Sequence, residues 1–301
     1  MKTLFSLFLI TGLTINSIAQ GNVAIQDSNY IIYSVKHKKI VDVGSIIKDM
    51  KKYDVLLYGE AHDDSITHRI QTLLFQLMFS EFGGNATVSM EMFDRDVQYI
   101  MDEYLSGKIK KSYFLKDSRK WSNYKDYEPM VEFAKKNGLQ VIAANAPFRY
   151  VNVATKGGLE ALQSLSDCAK TALAPLPYNY ADGAYKDKLD KLMGHTPGEK
   201  RPSYDMIPGQ SLWDATMAYS IQQYNKNNPK SKIIHLNGRF HSEEYFGIYQ
   251  RLAEYDKNIK ALVITGESTA KEFPNIKFED YTHLGDYIIF TNPNLVKTIK
   301  K

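Results

Sequence analysis

The chain has 301 residues, 38 of them basic and 34 acidic, and a single cysteine. That length suits one large domain or one domain carrying an insertion. The basic residues are scattered apart from Lys108, Lys110 and Lys111, which excludes the dense stripe of a nucleic-acid binder, and one cysteine excludes an internal disulfide framework.

Residues 1–19 read as a leader. Lys2 supplies the charge, Leu4 to Ile15 is mostly apolar, and Ser17-Ile18-Ala19 places small residues before a cut at Gln20. This is the pattern of a secretory signal peptide, and the apolar run is shorter than the roughly 20 residues that span a bilayer. Cys168 is far downstream, so no lipid-acceptor cysteine stands at the cut. The expectation is a protein exported to a bacterial periplasm or associated with the outer membrane, not a lipoprotein. Residues 20–301 then form the folded part, with enough chain to bury a core.

In chain order, Lys51 to Tyr58 closes in an apolar run stopped by Gly59. Ile66 to Phe82 carries Ile66, Ile70, Leu73, Leu74, Leu77 and Met78 at helical spacing. Ala86 to Met90 predicts a strand ending at Glu91, and Val97 to Leu105 a helix. Met130 to Lys136 predicts a helix that stops at Asn137-Gly138. Leu139 to Ala144 reads as a strand ending at Asn145, and Ser211 to Tyr224 as a helix. Lys232 to Leu236 is a strand running into Asn237-Gly238, Lys260 to Thr265 one running into Gly266-Glu267, and Asp286 to Phe290 a last strand. Strands alternating with helices imply an α/β fold, with a mainly parallel central sheet flanked by helices. The stretch from about Arg149 to Gly209, with five prolines, breaks that rhythm and reads as a mostly helical insertion or lid.

Ligands of such sheets bind beyond the C-terminal strand ends. Those ends carry Glu60 and His62, then Glu91, Asn145, Asn237 and His241, and Glu267. The two histidines close Gly-x-x-His motifs, Gly59-Glu60-Ala61-His62 and Gly238-Arg239-Phe240-His241. Each glycine is expected to let the backbone turn sharply out of its strand. Glu60, His62, Glu91 and His241 are the donor types that suit zinc or another borderline divalent metal. Alternatively, one glutamate acts as general base on a metal-bound water, and Arg239 holds an anionic substrate group. His37, His68, His195, His235 and His283 read as surface, core or turn residues, with His195 of interest because it lies in the insertion. There is no Gly-x-Ser-x-Gly elbow, phosphate-binding glycine loop or Gly-x-Gly-x-x-Gly.

Several pieces, in this order and spacing, resemble the ChaN-like haem-binding uptake proteins of the Tiki superfamily. They are Leu56 to His62, Ser89 to Phe93, Trp121 to Tyr127 with Pro129, Ile142 to Pro147, Gln210 to Ala218 and Leu236 to His241. The resemblance spans about Asp54 to Phe290. It implies an α/β core with a helical addition, haem as cofactor, and work in haem or iron acquisition beside outer-membrane transport components. It also implies a possible homodimer around stacked haems. An axial His or Tyr is usual for haem, and Tyr178, Tyr180, His195 and Tyr204 in the insertion are the candidates. The wider superfamily includes metal-dependent proteases with paired Gly-x-x-His motifs and is similar to erythromycin-esterase-type hydrolases. A metal-dependent hydrolase, with Glu60, Glu91 and Arg239 in catalysis, is therefore the alternative.

Overall fold

A computed structural model describes residues 29–194, 205–295 and 297–298. The leader 1–19, His195 and Tyr204 lie outside the described residues.

Among the described residues, eight strands form one sheet: β1 (Tyr30–Ser34), β2 (Lys39–Val41), β3 (Val55–Glu60), β4 (Ala86–Asp94), β5 (Val141–Asn145), β6 (Lys232–Gly238), β7 (Ala261–Glu267) and β8 (Tyr287–Thr291). Their order is β2-β1-β8-β7-β3-β6-β4-β5. From β8 to β5 every neighbouring pair is parallel. Only the β1–β2 hairpin is antiparallel, added to the edge at β8. The six strands expected from sequence are present, and the hairpin is additional. The chain runs from β3 outward to β4 and β5, returns to place β6 between β3 and β4, then leaves on the other side through β7 and β8. That reversal puts a topological switch point at the C-terminal ends of β3 and β6.

Ten α-helices cover the sheet: α1 (Val43–Met50), α2 (Ser65–Phe82), α3 (Gln98–Leu105), α4 (Lys111–Asp117), α5 (Tyr124–Asn137), α6 (Phe148–Gln163), α7 (Asp167–Lys170), α8 (Gly183–Leu192), α9 (Met206–Asn227) and α10 (Ile248–Tyr255), counted among the described residues. The period of two along β3 shows why both faces are covered. Leu56 and Tyr58 pack with Ile66, Ile70 and Leu74 of α2, whereas Val55 and Leu57 pack with Met217, Ala218 and Ile221 of α9. Helix α9 is buried nearly all round, from Ile207 to Ile221, because it lies between the sheet and α6 and α10. Helix α5 stops at Gly138, whose φ of 65° and ψ of 29° give the left-handed cap that Asn137-Gly138 signals. The segment expected as an insertion supplies α6, α7 and α8.

Candidate functional site

Strands β3 and β6 lie side by side, with Gly59 opposite Asn237 and Glu60 opposite Gly238. The two Gly-x-x-His motifs therefore leave the sheet together. Their glycines, however, do not serve as sharp turns: Gly238 has φ of −56° and ψ of 134°, and neither glycine adopts positive φ. Both are needed because the motifs press on one another. A Cβ on Gly59 would lie 2.7 Å from the Arg239 Cα, and one on Gly238 would lie 2.7 Å from His62 Nε2. Each glycine makes room for the opposite motif.

Glu60 is buried at the end of β3 and accepts several hydrogen bonds. The Tyr127 hydroxyl donates to Oε1 and the Gln71 amide to Oε2, each at 2.5 Å, and His62 Nδ1 lies 2.9 Å from Oε1. His68 Nε2 is 3.6 Å away. Burial alone would raise the carboxyl pKa, but hydrogen bonds and positive charge from His62 and His68 outweigh it and bring it down to about 2. Burial opposes the charged forms of both imidazoles, yet Glu60 holds the pKa of each above its ordinary value. The His62 ring meets Trp121 edge-on at 5.0 Å. Asn123, at the start of α5, donates to the His62 carbonyl at 3.1 Å.

A matching arrangement stands on β6. His241 is buried, with Nδ1 2.6 Å from Asp214 Oδ1 and Nε2 3.7 Å from Glu91 Oε1. The Gln210 amide lies 2.9 Å from the same Nδ1, and the Tyr185 hydroxyl donates to Asp214 Oδ2 at 2.7 Å. Gln210 and Asp214 are one helical turn apart on α9 and so present to one side. Burial opposes protonation of His241, but Glu91 and Asp214 raise its pKa to about 9. The other oxygen of Glu91 accepts from the Gly238 N–H at 2.6 Å, which fixes the carboxylate between the motifs. Arg239 pairs with Glu267 and, at 3.4 Å, with Glu243. Its charge is thus already shared by two carboxylates.

Glu60, His62, Gly238, Arg239 and His241 line one cleft of about 250 Å³, with Gln210, Leu192 and Phe240. Of the strand-end residues, Glu60, His62, Gly238, Arg239 and His241 share this cleft, whereas Asn145 and Glu267 do not line it. Within it, each histidine has its Nδ1 braced on a buried carboxylate, Glu60 or Asp214, and Glu91 lies between them. Among the described residues, no group of three or more His, Cys, Asp and Glu is disposed to hold a metal ion. Both Glu60 oxygens, one Glu91 oxygen and the His241 Nδ1 take part in hydrogen bonds within the protein.

Tyr178 and Tyr180 are the two haem-candidate tyrosines among the described residues. Tyr178 is buried, and its hydroxyl donates to the Pro208 carbonyl at 2.8 Å. The Tyr180 hydroxyl accepts from the Leu159 N–H at 2.9 Å. Neither lines the cleft. Sequence reading missed Gln71, Tyr127, Tyr185, Gln210 and Asp214 as partners of the motifs. The segments Trp121 to Tyr127 and Gln210 to Ala218 were legible as matching pieces, but nothing in them identified which motif each side chain meets. His235 is a core histidine, bonded to Ser89 and held by burial down to about 3. His68 is also buried but touches the site through Glu60.

No curated protein matches the chain. Among solved structures it is similar to ChaN of Campylobacter jejuni, described with cofacial heme binding, at 19% identity and a TM-score of 0.66, covering 88% of this chain and 98% of that one. Weaker similarities are to the type III effector HopBA1, with 12% identity, a TM-score of 0.47 and coverage of 84% and 94%, and to an erythromycin esterase variant in its open conformation, with 13% identity, a TM-score of 0.46 and coverage of 87% and 83%. The first likeness shows a shared fold. A family described as haem-binding uptake, Tiki superfamily, ChaN matches residues 46–252, most of the chain, and the protein belongs to that family.

Proposed function

We propose that the protein binds haem at the mouth of the cleft between the two motifs and serves haem or iron acquisition outside the cytoplasm. The observation that carries this reading is the pair of imidazoles braced through Nδ1 on Glu60 and Asp214 at the cleft of a chain in this family. A carboxylate on one ring nitrogen fixes the tautomer and raises the basicity of the other, as for histidines that bind metals. Haem iron is commonly held by such a nitrogen. We take His62 and His241, rather than Tyr178 and Tyr180, as the axial candidates. Trp121 stands against His62, Trp213 against His241, and Leu192 is exposed at the rim, which supports a flat apolar ligand. At about 250 Å³ the cleft is smaller than the ~300–1,000 Å³ of enclosing ligand pockets. A macrocycle would therefore lie across it and be covered on one face.

Hemin titrated into the purified protein should give a saturable Soret band at micromolar concentration. The band should shift or weaken in His62→Ala or His241→Ala, and persist in Tyr178→Phe. No spectral change in the wild type rejects the reading. Variants of His195 and Tyr204 belong in the same series. The leader-like segment supports export and, with it, partnership with outer-membrane transport components. Size-exclusion chromatography with and without hemin tests for a homodimer.

A second reading, metal-dependent hydrolysis, is favoured by one feature: both braced imidazoles flank the Glu91 carboxylate. It would place Glu60, His62, Glu91 and His241 about a divalent ion such as zinc, with Arg239 near the substrate. Stoichiometric zinc after purification and chelator-sensitive ester or peptide turnover are its expected results. Unchanged turnover in His241→Ala removes it.

A further inference from the structure

A cavity of about 780 Å³ lies beside the edge strand β5, between α3, the start of α6, α7 and α9, and shares no lining residue with the cleft. We propose that it is a second ligand site, which takes a small organic carboxylate with an apolar body and holds the carboxylate on Arg95. The volume falls inside the ~300–1,000 Å³ range of small-molecule pockets.

Arg95 sits in the turn between β4 and α3 and is half-buried. All its supports are neutral. Nη1 donates to Ser220 Oγ at 2.9 Å, Nε donates to the Thr171 carbonyl at 3.3 Å, and the guanidinium lies 4.9 Å from the Tyr219 ring centroid. Among the described residues, no carboxylate lies within ion-pair distance of it. Burial lowers its pKa, opposed by Tyr219. A half-buried cation held by neutral groups favours an anion, and the planar guanidinium matches a carboxylate.

The acids in the cavity wall do not fill this role. Asp96 is occupied by Arg119 and by Arg149. Asp102 is exposed and accepts from the Gln98 amide at 2.9 Å.

The cavity also excludes one kind of occupant. Strand β5 is a sheet edge, which would ordinarily invite an extended peptide to add a strand. Here the Gln98 side chain already sits on that edge. Its amide donates to the Val141 carbonyl at 2.9 Å and accepts from the Ala143 N–H at 2.7 Å. The edge is closed to a peptide, and the space beyond it suits a small molecule. Val141, Ala143 and Ala172 offer an apolar wall, and the exposed Tyr99 ring stands at the mouth.

The test uses the whole protein with pyrenebutyrate as a fluorescent carboxylate and pyrenebutanol as its uncharged counterpart. Wild type should bind pyrenebutyrate saturably and pyrenebutanol about tenfold more weakly, since a hydrogen-bonded charge contributes at least that much. Arg95→Gln should lose the preference for the acid while its hemin titration stays as in the wild type. Cys168 is exposed and lines the same cavity. In wild type, alkylating it with a bulky maleimide should abolish pyrenebutyrate binding, and bound pyrenebutyrate should slow the alkylation. This arm needs no substitution, so it stands even if Arg95→Gln does not fold. The proposal is overturned by equal binding of acid and alcohol, by unchanged binding in folded Arg95→Gln, or by unchanged binding after alkylation.

Discussion

Glycine at positions 59 and 238 answers a steric demand between two strands, and the two positions differ in what a methyl group would strike. At Gly59 the obstacle is the backbone Cα of Arg239; at Gly238 it is the tip of the His62 ring. A ring can rotate away, and the Arg239 backbone, in the turn that leaves β6, cannot. Gly59→Ala should therefore cost more stability than Gly238→Ala, with overpacking of this kind worth about 1–3 kcal/mol. Gly238→Ala should instead displace His62 and weaken hemin binding. Urea denaturation of both variants, with hemin titration, checks the order. Equal destabilisation would show that the strands can separate.

His241 makes a pH prediction at the same scale. Its folded pKa, about 9, stands above the ~6.5 of an unfolded histidine. Its stabilisation is then fully present below pH ~6.5 and is lost as the pH rises through about 9. Shifts of this size correspond to something of order 3 kcal/mol. The stability of wild type should fall across that window, and His241→Gln should flatten the fall. Glu60 works in the opposite direction. Its pKa is depressed to about 2, so its contribution is present above pH ~4.3 and disappears as the pH drops through about 2.

Among the elements, α2 matters most to the site because its first turn follows His62 directly. Asp64 caps it, accepting from the Ile66 and Thr67 N–H groups at 3.0 and 3.2 Å, and its other oxygen accepts from Thr67 Oγ1 and from Thr291 Oγ1 of β8. One buried carboxylate thus ties the helix start to a strand two places away in the sheet. Asp64→Ala should cost about 2 kcal/mol, the upper end for a lost cap, and should loosen His62 enough to lower hemin affinity. Thermal denaturation and a hemin titration of that variant measure the two effects. Unchanged hemin affinity would separate the cap from the site. Helix α9 has the corresponding role for His241. It brings Gln210 and Asp214 to the ring from one face, while most of its length from Ile207 to Ile221 is buried.

At the scale of the molecule, the family match over 46–252 leaves out β1, β2, β7 and β8. Four of the eight sheet strands lie outside it. Strand β3, which carries Glu60, pairs with β7 over Val55 to Gly59, so a chain spanning only 46–252 would expose one edge of β3. Unpaired apolar edges aggregate. Such a fragment should express as aggregate or show no cooperative unfolding, and light scattering with circular dichroism tests it.

The six central strands and the helices between them were legible in the sequence because apolar period and terminating glycine or asparagine are local signals. Leu56 to Gly59 and Ile233 to Gly238 state their own strands. The β1–β2 hairpin was not legible: its turn spans 35–38 without glycine, and Lys38 takes the positive φ of 50° itself. The site was half legible. Gly59, Glu60, His62, Glu91, Gly238 and His241 could be placed at one sheet edge from alternation alone, since parallel strands end on the same side. Their hydrogen-bond partners could not. Tyr127, Gln210 and Asp214 come from helices distant in sequence, and their side chains reach the motifs only through packing. Tyr178 and Tyr180 show the complementary case: the resemblance offered them as ligand candidates, and only the fold shows their hydroxyls bonded to Pro208 and Leu159. The sequence by itself determined the family, the ionisable residues at the strand ends and the two motifs, because these depend on neighbours along the chain. The tertiary structure alone decided that the glycines are contact points rather than turns, and that each histidine stands on its own buried carboxylate, because both follow from distances between elements that local sequence does not encode.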